Sequence, residues 1–115
     1  MNEVQEHIVL ACDEMLSRNE PTDEFAKLAN AMLRAYRDWI AAYASGGDAR
    51  DKIVPVAFRY RNVDWATWGK AAALFCQRLG EALEPLPRNI ERQGHTFANV
   101  FCVRLGQLGP AAKRE

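Results

Sequence analysis

The chain has 115 residues with fifteen basic and fifteen acidic side chains, so its formal net charge is zero, and 49% of its residues are hydrophobic. That length suits one domain, spanning 1–115, able to bury most of its apolar surface without staples. The composition excludes a disordered or collagen-like chain. Apolar runs such as Ala71–Cys76 are too short to span a bilayer.

The first residues, with Glu3 and Glu6 and no basic run, do not read as a signal peptide, and a cytoplasmic location is expected. Cys12, Cys76 and Cys102 are odd in number and scattered, with no C-x-x-C pair. They read as small buried hydrophobes in a reducing compartment, not as a disulfide framework. His7 and His95 sit near no cysteine in sequence, so neither a metal nor a cofactor is expected. The zero total hides a polarity. Residues 1–49 carry four basic against nine acidic side chains, and residues 50–115 carry eleven against six. Such segregation either conceals a basic binding face or marks two halves that neutralise each other on packing.

Residues 2–17 place Val4, Ile8, Ala11, Cys12, Met15 and Leu16 at helical spacing, with Glu3, Glu6, Asp13 and Glu14 on the other face. This acidic helix is expected to meet something basic, or to be a merely solvated face. Arg18–Pro21 form a turn, and Thr22 is the expected cap of a second helix over Asp23–Ala44. Its stripe of Phe25, Leu28, Met32, Leu33, Tyr36, Trp39, Ile40 and Tyr43 reads as core, and Ser45-Gly46-Gly47 ends it.

After a charged loop, Asp48–Lys52, the run Ile53–Val63 alternates as a strand does, with Val56, Phe58 and Tyr60 on one side. Pro55 confines such a strand to an edge or to its own start. The competing reading is a short helix with Pro55 in its first turn. A third long helix follows, Asp64–Leu83, capped by Asp64 and closed by Pro85 and Pro87, with Trp65, Trp68, Phe75, Cys76 and Leu79 on one face. Gly69 marks a kink, a close approach or a break in it. Arg88–Gln93 and Phe97–Leu105 read as a β-hairpin turning on Gly94-His95. Phe97, Phe101, Val103 and Leu105 share one face of its second strand, and Arg88 and Arg92 one side of its first. Residues 106–115 read as a flexible tail.

The expected fold class is therefore α+β, mostly α. It has three main helices, a C-terminal β-hairpin and a short third strand near 53–61, in the chain order of a winged helix-turn-helix. Such a fold reads duplex DNA with a helix and neutralises phosphates with basic groups. Candidate DNA-binding residues are Thr67, Lys70, Gln77 and Arg78 on the helix, with Arg88, Arg92, His95, Thr96 and Arg104 on the hairpin. Arg59 and Arg61 would extend the patch.

Leu33-x-x-Tyr36-x-x-Trp39 followed by Gly46-Gly47 resembles the helix that opens the winged-helix domain at the C-terminus of phage and plasmid primase–helicases. Trp68-Gly69-Lys70-Ala71-x-x-Leu74 and Arg78-Leu79 with Pro85 resemble the recognition helix of that domain and its exit. The resemblance covers residues 25–105 and implies a DNA-binding module of a phage or mobile element, acting in replication. The chain departs from it in the longer segment between Gly47 and Asp64, in the acidic helix at 2–17, and in having no ATPase or primase module.

A second expectation comes from another class, a protein–protein adaptor or inhibitor using the acidic helix to hold a basic partner. Exposure of Trp65 or Trp68 would favour it, since aromatic side chains anchor interfaces. An enzyme is not expected. Cys102 and His95, seven apart in one strand, would lie on opposite faces and roughly 20 Å apart. No catalytic residue, phosphate loop or membrane partner is indicated.

Overall fold

The computed structural model describes residues 1–43 and 47–110. Five helices follow one another: α1 Glu3–Arg18, α2 Glu24–Tyr43, α3 Arg50–Arg59, α4 Trp65–Leu83 and α5 Arg88–Leu108. No strand occurs among the described residues, so the α+β class, the hairpin and the winged helix-turn-helix are all corrected to an all-helical fold.

α1 begins where Asn2 and Gln5 exchange side-chain and backbone hydrogen bonds at 2.9 Å, a reciprocal cap that satisfies two otherwise free N–H groups. Its face of Ile8, Val9, Cys12 and Met15 is buried. α2 is capped by Asp23, whose carboxylate accepts from the Ala26 N–H at 2.7 Å, one residue beyond the expected Thr22. The glycine end expected for α2 rests partly on Ser45 and Gly46, which lie outside the described residues. Leu28, Ala29, Met32, Leu33, Tyr36 and Ile40 are wholly buried, because α1, α3 and α4 all pack on α2. α1 runs antiparallel to α2. Gln5 donates to the Ile40 carbonyl at one end, and Asn30 donates to the Asn19 carbonyl at the other.

The expected strand at 53–61 is helix α3. Ile53 and Ala57, one turn apart, are buried, and that spacing outweighs the alternation of Val56, Phe58 and Tyr60. Pro55 is the sixth residue of α3, beyond the first turn of the competing helix reading, and leaves the Asp51 carbonyl without its usual donor. Asp51 is exposed, so water can take that place.

α4 is capped as expected, with Asp64 accepting from the Thr67 N–H at 2.7 Å, and it runs unbroken. Gly69 is neither a break nor a close approach, since a Cβ there would meet nothing within 4 Å. Trp68 is buried and donates through Nε1 to the Leu105 carbonyl at 3.0 Å, whereas Trp65 is 53% exposed.

The largest correction is α5, a single helix where the hairpin was expected. Phe97, Phe101 and Leu105 are four apart, and residues four apart share a side in a strand and in a helix alike. The residues that discriminate are Ile90, Gly94 and Ala98, all buried, against Val103, which is 59% exposed. Gly94 makes no turn. It is buried inside α5 and faces Leu83. α5 continues to Leu108, and Gly109 and Pro110 are buried, so the expected tail is structured as far as residue 110. The remainder of that expectation, 111–115, lies outside the described residues.

Tyr36, Trp39, Phe75, Phe97 and Phe101 form the centre of the core, with ring centroids 5.4–6.2 Å apart and several pairs edge-on. The Tyr36 hydroxyl is satisfied within it, donating to the Gly94 carbonyl at 2.8 Å.

Candidate functional site

α4 and α5 are antiparallel neighbours, joined near one end by Leu83 against Gly94 and near the other by Trp68 against Leu105. This arrangement separates the residues expected to bind DNA. Lys70 is exposed beside the C-terminal half of α5, while Arg88 and Arg92 are exposed at its start. At about 1.5 Å per residue, Lys70 and Arg92 stand roughly 16 Å apart along the helix pair. Thr67 is half-buried and its N–H donates to the capping Asp64 carboxylate, and Gln77 is exposed on α4, 3.4 Å from Glu81. Arg78 is engaged internally with the buried Asn30, and Arg104 with Asp48 at 3.7 Å and Gln107 at 2.8 Å. His95 lies 3.9 Å from Glu91, and the Thr96 hydroxyl donates to the Arg92 carbonyl. One part of the expected patch survives the change of fold. Arg88, Arg92 and His95 fall on one exposed stripe of α5, because helical spacing also aligns them.

Among the described residues, no acidic side chain of α1 forms an ion pair with the C-terminal half. Asp13 holds Arg37 of α2 at 2.9 Å, and Glu14 lies 3.9 Å from Arg18. Arg37 is also paired with Asp38, and these hydrogen bonds raise its already high pKa, fixing it as a cation.

A different constellation stands at the corner between α3 and α4. Phe58 is 55% exposed and Trp65 53% exposed, and Arg59, Tyr60 and Arg61 lie between them in the chain. The Arg61 guanidinium sits 4.6 Å from the Phe58 ring centre while donating to the Phe58 carbonyl. Arg59 lies 5.7 Å from the Tyr60 ring centre. Each is a cation over a π face, which holds the guanidinium without neutralising it. Among the described residues, Arg34, Arg59, Arg61, Lys70, Arg88 and Arg92 form no ion pair. Trp65 is held from behind, its ring packed where a Cβ on Gly109 would stand.

From this corner an open groove of about 300 Å³ runs between α2 and α3, floored by Ala31, Ala35, Pro55 and Val56. Arg34 and Arg59 border it, as do Asp38 and Asp51. A second hollow of about 250 Å³, towards Glu20 and Lys27, shares Arg34 and Arg59 with it. Arg59 therefore belongs to corner and groove together. The Phe58–Arg61 run was legible as alternating aromatic and basic residues, but the alternation was read as a strand.

The cysteines also depart from expectation. Only Cys12 is buried, and burial with Asp13 beside it pushes its thiol up to about 12. Cys76 is exposed and Cys102 half-buried, and their sulfurs lie 3.1 Å apart. His95 and Cys102 share a helix face, but two turns separate them by about 10 Å, too far for proton transfer. No group of three or more metal-ligating side chains occurs among the described residues. No helix among them is long and apolar enough to cross a membrane.

No family model matches the chain, and neither a curated protein nor a solved structure matches it. The winged-helix fold implied by the primase–helicase resemblance is not the fold of this chain.

Proposed function

We infer that this domain is a protein-interaction module that docks an acidic partner segment on the α3–α4 corner. The observation that carries the reading is Trp65, half exposed and braced against Gly109, seven residues along the chain from the exposed Phe58 with Arg61 over its ring. Tryptophan, tyrosine and arginine dominate the energetics of protein interfaces, because each buries a large rigid surface and retains a polar handle. Burying two exposed aromatic rings under a partner recovers apolar area already spent, at low cost in side-chain entropy. Arg59 and Arg61, without carboxylates of their own, select for acidic groups on that partner. The groove bordered by Arg34 and Arg59 gives an extended segment somewhere to continue. This moves the working surface of the adaptor reading from the acidic helix α1, where Asp13 and Glu14 face Arg37 and Arg18, to the opposite charge.

The test is selection from a random peptide library displayed against the full chain. Enriched peptides should be acidic with an apolar anchor, and should lose at least about tenfold in affinity towards Trp65→Ala and Arg61→Ala, as hot-spot truncations do. Enrichment indifferent to both changes would sink the reading.

A second reading is nucleic-acid binding, favoured by Arg88 and Arg92 standing unpaired at a helix start that no side chain caps. A helix N-terminus carries partial positive charge and free N–H groups, so two arginines there repel it and fit an anion such as phosphate. Single strands and duplexes are both to be tried, because exposed aromatic rings stack unpaired bases. Fluorescence anisotropy at low salt decides it. Binding at roughly micromolar concentrations that weakens with salt and with Arg92→Ala supports this reading. Silence of both oligonucleotides leaves the protein partner.

A further inference from the structure

Cys76 and Cys102 come from different helices, 26 residues apart in sequence, and meet at mid-length of the α4–α5 pair with 3.1 Å between their sulfurs. A disulfide needs about 2 Å, so closure asks for roughly 1 Å of approach between two side chains that already face each other. The site is reachable. Cys76 is exposed, and Gly80 on α4 and Gly106 on α5, each one turn along from one of the thiols, leave open space where larger side chains would stand. The two thiols are unequal. With Cys102 keeping its proton and donating to Cys76, the Cys76 thiol is drawn down to about 7 while Cys102 is pushed up.

We propose that Cys76 and Cys102 are a redox-active dithiol that reacts with small-molecule disulfides of the glutathione type and closes a reversible bond between α4 and α5. Cys76, as thiolate, attacks one sulfur of the oxidant. The oxidant's S–S bond breaks, one glutathione thiolate leaves and takes up a proton, and a mixed disulfide stands on Cys76. Cys102 then loses its proton to solvent, its sulfur attacks the Cys76 sulfur, and the second glutathione leaves as a thiol. Two protein thiols are oxidised to one disulfide, and one small disulfide is reduced to two thiols. The asymmetry suits the order, since the exposed thiolate meets the oxidant and the half-buried thiol resolves it. Cys12, buried and held protonated, takes no part.

The test treats the full-length chain with glutathione disulfide, alkylates remaining thiols after denaturation, and reads intact mass and a non-reducing peptide map. The expected product has lost two hydrogens, carries one alkyl group on Cys12, and yields a Cys76–Cys102 cross-linked peptide. Cys102→Ser should accumulate one glutathione on Cys76. Cys76→Ser should react roughly tenfold more slowly. A lasting glutathione adduct in the unaltered chain, a bond between two chains, or three free thiols after exposure would each overturn the proposal. The unaltered protein decides the matter even where a variant fails to fold.

Discussion

Gly94 lies so close to Leu83 that a Cβ on the glycine would stand 2.7 Å from the leucine Cδ2. Leu83 is wholly buried, so moving its side chain aside means repacking its neighbours. Gly94→Ala should therefore destabilise the protein by about 1–3 kcal/mol through overpacking, although alanine is the better helix former. Gly69→Ala faces open space within α4 and should stabilise by about 0.5–1 kcal/mol. Paired urea titrations check this. Two changes of equal sign would mean that α5 does not approach α4 as described.

The two tryptophans of α4 should separate stability from binding. Trp68 is 2% exposed and hydrogen-bonded, so Trp68→Ala should cost about 3–5 kcal/mol. Trp65→Ala should unfold at a denaturant concentration much closer to that of the unaltered protein, while abolishing recovery of the selected peptides. Chemical denaturation beside peptide titration measures both, and a Trp65→Ala protein as unstable as Trp68→Ala would remove Trp65 from the interface.

Alkylation of Cys76 by iodoacetamide should speed up as pH rises, with a midpoint near about 7 where the thiolate forms. Cys102→Ala removes the donor and should move that midpoint up towards the ordinary thiol range. An unmoved midpoint would show that Cys102 does not hold the thiolate. Closing the bond restricts the unfolded chain, and for a span of 26 residues it should add about 3.5 kcal/mol of stability that dithiothreitol reverses.

Asp64 caps α4 as a carboxylate, and its hydrogen bond from the Thr67 N–H lowers its pKa. A group whose folded pKa is lowered contributes stability above its unfolded value and loses it as pH falls through the folded one. Acidification below the ordinary carboxylate range should thus weaken the start of α4. Asp64→Asn keeps an acceptor that does not titrate, so its thermal midpoint should fall less steeply with acid. Parallel pH dependences in the two proteins would exclude this role for Asp64.

Much of the chain is legible from its residues alone. α1, α2 and α4 follow from apolar positions at helical spacing over 16–20 residues, and Asp64 announces its helix as a cap. Long periodic runs are readable because many residues vote for one period. Short or ambiguous runs mislead for a definite reason. Val56, Phe58 and Tyr60 alternate by chance across the end of a ten-residue helix, and Phe97, Phe101 and Leu105 fit a period of two as well as one of 3.6. Gly94-His95 looked like a hairpin turn because glycine permits turns and close packing alike.

What the sequence determined by itself was therefore local: three helices, most of the buried faces of α1 and α2, and one cap, whereas Trp65 and Cys76, on the expected apolar face of α4, are exposed. Tertiary structure decided the rest. Packing against Leu83 and Tyr36 turned residues 88–108 into a helix, because burying Ile90, Ala98 and Phe101 on one face outweighs the strand preference of the valines left outside. That same choice parted Lys70 from Arg92 and brought Cys76 to Cys102. Those distances span elements far apart in the chain, and no local pattern encodes them until the helices are set side by side.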